Sequence, residues 1–346
     1  MNKTGRWAAL GLTLVLIAAF VRSPALAYEW TPYGVTVSVG VMLAMLVLCA
    51  LRQKEGGAAS IGVIGGGKAE DALFAAGRGS VAELALVCTV CALVLARLSY
   101  CLVRFEFYFA EMGLLSVLKI QEGGFLLYGA VLGALGGAVW LAHHRGGSAA
   151  DTLDELAAPG LVAVAAARLG EWTTGEGLGA WIESEALMRL PFAVMNEYEE
   201  WQLAVFLFEA AVALILLVPV LREKRGEGRR METALLLYAC CQIVLESLRM
   251  DSCLKIGFVR VSQVMSAVVI LAVTMLRGFR FGGRKAMLCR AVPVALCTAV
   301  IGGLEWALDK TPVNNMLLYA VMIAACAAMA VNGMRFAGAK RHGSND

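Results

Sequence analysis

Residues 123–142 read GGFLLYGAVLGALGGAVWLA, a stretch without one charged side chain. About 20 apolar residues wound into an α-helix reach across the hydrocarbon core of a bilayer. A second stretch, 34–51, is uncharged until Arg52. The pattern repeats along the chain. Apolar segments cover 7–27, 34–51, 80–102, 123–142, 202–221, 232–249, 261–276, 287–304 and 315–333, with a shorter run at 157–170. Backbone groups in lipid must find partners within their own segment, so each segment is predicted to be a helix. Composition points the same way. Of 346 residues, 60% are hydrophobic and 16% are charged, against about 25% charged in a soluble chain. The mean hydropathy is +0.72. The expected fold is therefore all-α, a polytopic transmembrane helical bundle.

Loop charge orients the bundle, because Lys and Arg gather on the cytoplasmic side. Arg222, Lys224, Arg225, Arg229 and Arg230 crowd one loop, and Arg277, Arg280, Arg284, Lys285 and Arg290 another. Arg52, Lys54, Lys68 and Arg78 lie in an earlier loop, Arg145 follows His143 and His144, and Arg335, Lys340 and Arg341 close the chain. One alternation of segments puts all of these inside, with Lys3 and Arg6. The acidic loop 171–200 then falls outside, and both termini are expected in the cytoplasm. Residues 1–27 fit two readings. Ala25-Leu26-Ala27 suits a signal-peptide cleavage site, yet a retained helix serves a multi-span protein equally, and the retained helix is the expectation.

The net charge of +3 is dispersed over short loops, which argues against a nucleic-acid partner. The cysteines lie mostly inside apolar runs and read as small buried hydrophobes, with Cys253 in a loop. Gly129, Gly133 and Gly137 recur every four residues, a spacing that lets membrane helices approach closely. The Gly- and Ala-rich stretch 53–79 reads as a cytoplasmic loop with room for a short amphipathic helix.

Charges in the spans carry the functional signal, since an ionisable group in hydrocarbon is costly and usually faces a protein or aqueous interior. Glu83, Arg97, Arg168, Glu209, Glu246 and Arg249 hold such positions. Glu83 and Arg97 share a helix face but stand fourteen residues apart, nearly four turns, which suggests structural roles. The run Arg168-Leu169-Gly170-Glu171-Trp172-Thr173-Thr174-Gly175-Glu176-Gly177 leaves a helix and turns at the outer surface. An arginine placed there suits a phospholipid headgroup, because its planar fork grips phosphate oxygens.

These residues resemble the signature of the prolipoprotein diacylglyceryl transferase family, an Arg-x-Gly-Asn run followed by Gly-Glu. Other elements match in order. Tyr33-Gly34 resembles the family's Trp-Tyr-Gly, Ala96–Tyr100 its Gly-Arg-x-Gly-Tyr, and Glu122–Gly129 its Gly-Gly-Met-Ser-Phe-His-Gly. Gln202-Leu203 with Glu209 resembles its Gln-Leu-Tyr-Glu, Gln242–Arg249 its Arg-Phe-x-x-Glu-x-x-Arg, and Val261–Ser266 its Ser-x-Gly-Gln-x-x-Ser. The likeness covers roughly 28–277. It implies seven family-like helices in residues 28–277, flanked by a signal-like or transmembrane helix at 1–27 and an extra transmembrane hairpin with a cytoplasmic tail at 278–346.

The resemblance implies a bacterial inner-membrane enzyme that moves a diacylglyceryl group from phosphatidylglycerol to the thiol of a lipobox cysteine in a prolipoprotein. It implies no metal and no dissociable cofactor. Carried over residue by residue, it makes Arg168, Glu176, Glu246 and Tyr128 the catalytic candidates. Tyr33, Gly170, Glu171, Gln242, Arg249 and Gln263 become the substrate-binding candidates. Three positions depart from the pattern: Tyr128 replaces a histidine, Glu171 an asparagine and Gln242 an arginine. The last two changes make an anion site more negative. The loss of the histidine at 128 and of the arginine at 242 motivates a second reading, a relative that binds anionic lipid or lipoprotein precursor without turnover. A small-molecule transporter is a third reading, and no internal repeat supports it.

Overall fold

The structure, a computed structural model, describes residues 32–56, 80–111, 113–119, 123–196, 198–251, 254–256, 259–310 and 314–335. The expected segment 7–27, most of the loop 53–79, Cys253 and Glu122 lie outside the described residues. Two compact units are present. The first runs through Thr174 and takes in Val220–Met231, and the second comprises Gly175–Pro219 and the chain from Glu232 onward.

The chain is an all-α polytopic helical bundle. Six of its described helical spans are long and apolar enough to cross a membrane: Pro32–Arg52, Val81–Val103, Val205–Arg222, Arg229–Leu248, Val261–Lys310 and Asn315–Met334.

The first unit contains helices α1 (Pro32–Gly56), α2 (Val81–Val103), α3 (Leu127–His144) and α4 (Ala149–Gly170). The glycine stripe sets how closely α2 and α3 pack. A Cβ at Gly133 would lie 2.1 Å from the carbonyl oxygen of Cys91, and one at Gly129 2.6 Å from that of Leu95. Gly40 does the same for α1, where a Cβ would stand 2.3 Å from that of Ala166 on α4. The short apolar run at 157–170 belongs to a longer helix. Ser148 caps it by accepting the Asp151 amide at 3.3 Å, and its first turns carry Asp151, Asp154 and Glu155, which broke the apolar pattern. Glu155 is buried and accepts from Arg52 at 2.7 Å and from Arg225. Burial, together with Arg230 and Arg52, pulls the Arg225 pKa below its ordinary value. Asp154 accepts backbone amides of Gly226 (2.8 Å), Arg230 (2.8 Å) and Met231 (3.2 Å). It thereby fills the capping role at the start of the following helix, whose first amides have no partner within the helix.

Glu83 and Arg97 take separate structural roles. Glu83 pairs with Arg145, joining the start of α2 to the end of α3. Arg97 is buried and donates to the carbonyls of Ser116, Val117, Lys119, Gly123 and Gly124. One guanidinium thus holds the connection between α2 and α3, which includes a π-turn at Glu106–Glu111 and a 3-10 turn at Leu114–Leu118.

In the second unit, the expected outer loop beyond Thr174 is more than a loop. Strands β1 (Leu178–Trp181), β2 (Ala193–Met195) and β3 (Trp201–Ala204), with the short helix α5 (Glu185–Met188), form an antiparallel sheet in the order β1-β3-β2. Helix α6 (Val205–Ile215) follows and is broken before α7 (Leu217–Arg222). Pro219 explains the break, since it offers no amide to the Ile215 carbonyl. Helix α8 (Arg229–Leu248), the strand pair β4 (Lys255–Ile256) and β5 (Val259–Arg260), and the helices α9 (Val261–Lys310) and α10 (Asn315–Met334) complete the chain. The two expected segments 261–276 and 287–304 prove to be arms of α9, which doubles back at Gly283 (φ 67°, ψ −164°). Leu236, Ile243, Ile270, Val294, Ile301, Met322 and Met329 form the apolar core between α8, α9 and α10. Arg277, counted above as a loop charge, is buried against Glu232 (2.9 Å), the Thr233 hydroxyl (2.8 Å) and the Gly333 carbonyl (3.1 Å).

Candidate functional site

The predicted site residues divide between the two units, and each group has its own geometry. In the first unit, α4 ends at Gly170 and passes directly into a 3-10 turn at Glu171–Thr174. Arg168 occupies the last turn of α4 and is 7% exposed, as is Glu171. The Arg168 guanidinium donates to the Glu171 carboxylate. The residue that replaces the family's asparagine therefore sits directly on the arginine expected to grip phosphate. Tyr33, in the first turn of α1, lies against the same turn. A Cβ at Gly170 would meet the Tyr33 ring at 2.9 Å, so only glycine leaves room for it. Tyr33, Arg168, Gly170 and Glu171 are thus one cluster. Tyr128 is buried in the first turn of α3, a helix packed against both α2 and α4.

In the second unit, the chain enters the sheet through Glu176, which is exposed, between the positive-φ residues Gly175 and Gly177. The Gly177 amide donates to Asp251 at 2.7 Å. Asp251 also receives Arg249, whose Nη2 approaches to 2.6 Å, while Arg249 Nη1 reaches Glu209 at 3.2 Å. Gln242 lies between two carboxylates. Its Nε2 donates to Glu209 at 2.8 Å and to Glu246 at 2.9 Å. Gln242 and Glu246 stand four residues apart on α8, so they share a face. Glu209 and Gln242 are both completely buried. The Gln242 carbonyl oxygen is buried and accepts no hydrogen bond among the described residues. An orphaned buried acceptor of this kind normally costs about 1–3 kcal/mol.

Gln263 completes the group. Its Oε1 accepts the Arg260 amide at 3.2 Å, and its Nε2 donates to the Ile243 carbonyl at 3.2 Å and to Glu305 at 2.7 Å. Arg260 in turn donates to the Arg249 carbonyl. Gln242, Glu246, Arg249 and Gln263 therefore belong to one polar network with Glu209. Sequence reading overlooked Asp251, Arg260 and Glu305 as members of it. Asp251 was detectable, being two residues beyond Arg249, and Glu305 was a charge at the edge of the apolar run 287–304.

An open cavity of about 480 Å³ lies beside the sheet, between Trp181, Trp201 and Glu200, and no predicted site residue lines it. Among the described residues, no group of three or more His, Cys, Asp or Glu side chains is arranged to hold a metal ion.

What the two clusters offer chemically is guanidinium and amide donors set against carboxylates at the ends of membrane helices. Comparison with known proteins gives that chemistry a family. The family model described as prolipoprotein diacylglyceryl transferase matches residues 20–277. Three proteins named phosphatidylglycerol–prolipoprotein diacylglyceryl transferase are similar to the chain. The one from Frankia alni is 32% identical over 189 residues, 50% of this chain and 48% of that protein. The one from Bacillus cereus strain G9842 is 26% identical over 247 residues, 69% of this chain and 83% of that protein. The one from Clostridium kluyveri strain ATCC 8527 is 25% identical over 245 residues, 69% of this chain and 88% of that protein. The chain spans about half the length of the Frankia alni relative and more than four-fifths of the other two. All the predicted site residues fall inside the matched stretch, and the chain belongs to the prolipoprotein diacylglyceryl transferase family.

Proposed function

We propose that this chain transfers a diacylglyceryl group from phosphatidylglycerol to the thiol of a lipobox cysteine in a prolipoprotein. The observation that carries the reading is the family match over residues 20–277, which holds every predicted site residue of both polar clusters. In the reaction the cysteine thiol gives up its proton, which ends on the departing glycerol phosphate. The sulfur electron pair forms a bond to the terminal glyceryl carbon of the lipid, and the carbon–oxygen bond to phosphate breaks. The bonding electrons leave with glycerol phosphate.

Such a step needs donors aimed at the departing phosphate and a site that favours the thiolate, the reactive form of cysteine. In this proposal Arg168 contacts the phosphate, and Tyr128 donates a hydrogen bond to the headgroup. Glu176 and Glu246 orient the headgroup or its partners, while Tyr33, Gly170, Glu171, Gln242, Arg249 and Gln263 line the binding region. The enzyme is a multi-pass protein of the bacterial cytoplasmic membrane. Its termini lie in the cytoplasm, and the sheet-bearing segment 171–200 lies outside. Residues 28–277 form the transferase part, 1–27 an N-terminal signal-like or membrane helix, and 278–346 an added hairpin with its tail.

The test is transfer of labelled diacylglyceryl to a lipobox peptide by purified protein in phosphatidylglycerol. A family enzyme run in parallel serves as control. Labelled, thioether-linked peptide is expected. No product beside a working control would reject the transferase reading and leave a lipid-binding relative.

A further inference from the structure

The family match stops at residue 277, and the arm of α9 beyond Gly283 lies outside it together with α10. Side chains from this added hairpin nevertheless reach Gln263 and the end of α8, the helix that carries Gln242 and Glu246. Glu305, which is 8% exposed, accepts from Gln263 at 2.7 Å. The Tyr319 hydroxyl donates to the Ser247 carbonyl at 3.3 Å, one residue beyond Glu246. Gln263 links Glu305 to α8. Its amide nitrogen is shared between Glu305 and the Ile243 carbonyl, and its oxygen takes the Arg260 amide. Ile243 neighbours Gln242 and stands one turn before Glu246.

A carboxylate buried in an apolar helix is unfavourable unless hydrogen-bonded, and a charged acceptor makes the stronger bond to an amide N–H. Glu305 thus fixes which way the Gln263 amide faces. With the carboxylate gone, one Gln263 N–H loses its acceptor and the amide is free to turn away from Ile243.

We propose that Glu305 is a positioning residue for the transfer site, locking Gln263 against α8 so that Gln242 and Glu246 keep one arrangement. The added hairpin is then a working part of the enzyme. This rests on the transferase reading above.

The experiment uses the full-length chain in phosphatidylglycerol nanodiscs and compares Glu305→Gln, Glu305→Asp and Glu305→Leu. It measures kcat, KM for lipid, KM for peptide, and melting temperature. Glu305→Leu and Glu305→Asp, the latter too short to reach Gln263, are expected to lower kcat about tenfold, equivalent to about 1.4 kcal/mol of barrier. Glu305→Gln retains an acceptor oxygen and is expected within about threefold of the parent. Parental kcat in Glu305→Leu overturns the proposal, and where that variant does not fold, parental kcat in Glu305→Asp does so. Activity lost only in step with melting temperature, without rescue by Glu305→Gln, also overturns it. If the parent transfers nothing beside a working control, the transferase reading fails on its own. Positioning is then read from phosphatidylglycerol retained in native mass spectrometry. Equal retention by parent and Glu305→Leu overturns the proposal, and loss restored by Glu305→Gln supports it.

Discussion

Gln242 is where this chain departs furthest from an anion-binding arrangement. Its amide bridges Glu209 and Glu246, and Glu209 also takes the Arg249 guanidinium. Glu171 deepens the imbalance in the other cluster by sitting on Arg168. Two unit charges about 4 Å apart interact by roughly 4 kcal/mol near a protein surface. Even a third of that is about a tenfold change in rate. The double variant Gln242→Arg, Glu171→Asn places a guanidinium between two carboxylates and releases another from a third. It is expected to raise diacylglyceryl transfer at least about tenfold over the parent, read in the peptide assay. Unchanged transfer would mean that neither substitution limits the reaction. The carboxylates of this network were legible in the sequence because charge inside an apolar run stands out. Their pairing was not legible, because Glu209 and Arg249 are forty residues apart and meet only through tertiary packing.

At the scale of elements, the glycines distinguish contact from open space. Gly133 packs where a Cβ would stand 2.1 Å from the Cys91 carbonyl oxygen, whereas Gly136, on the same helix, has nothing within 4 Å. Gly133→Ala is therefore expected to destabilise by about 1–3 kcal/mol through overpacking. Gly136→Ala is expected to be neutral or to stabilise by up to about 1 kcal/mol through helix propensity. Thermal unfolding in detergent reads both, and equal melting temperatures would refute the close approach of α2 and α3. The four-residue spacing announced this contact in advance. The start of α4 was hidden because Asp151, Asp154 and Glu155 interrupt its apolar run, and the buried Asp154 and Glu155 find their partners only at positions distant in sequence. The sheet at 178–204 was hidden too, its strands being three or four residues long and set among turn residues.

For the whole molecule, the alternation of charged loops sets the expected orientation. Several of the loop arginines do more than mark a side of the membrane. Arg52, Arg145, Arg225 and Arg277 are each committed to a buried or half-buried carboxylate. Green fluorescent protein fused after the last residue is expected to fluoresce, as it does in the cytoplasm. Alkaline phosphatase inserted at Tyr198 is expected to be active, as it is outside. The reverse pair of results would invert the assignment of loops to sides. The helical bundle itself followed from hydropathy, since lipid imposes that pattern on any chain that crosses it. The reversal at Gly283 did not, because the flanking arms read as separate segments with an ordinary loop between them.

Asp154 accepts amides from the first residues of a helix made more than seventy positions later. In a chain delivered to the bilayer from its N-terminus, that carboxylate is already in place when its donors emerge from the ribosome. The later helix thus meets a waiting acceptor as it enters the membrane. Assembly in the order of synthesis spares it an interval with uncapped first amides, and a permuted chain that inserted α8 ahead of α4 would forfeit that advantage.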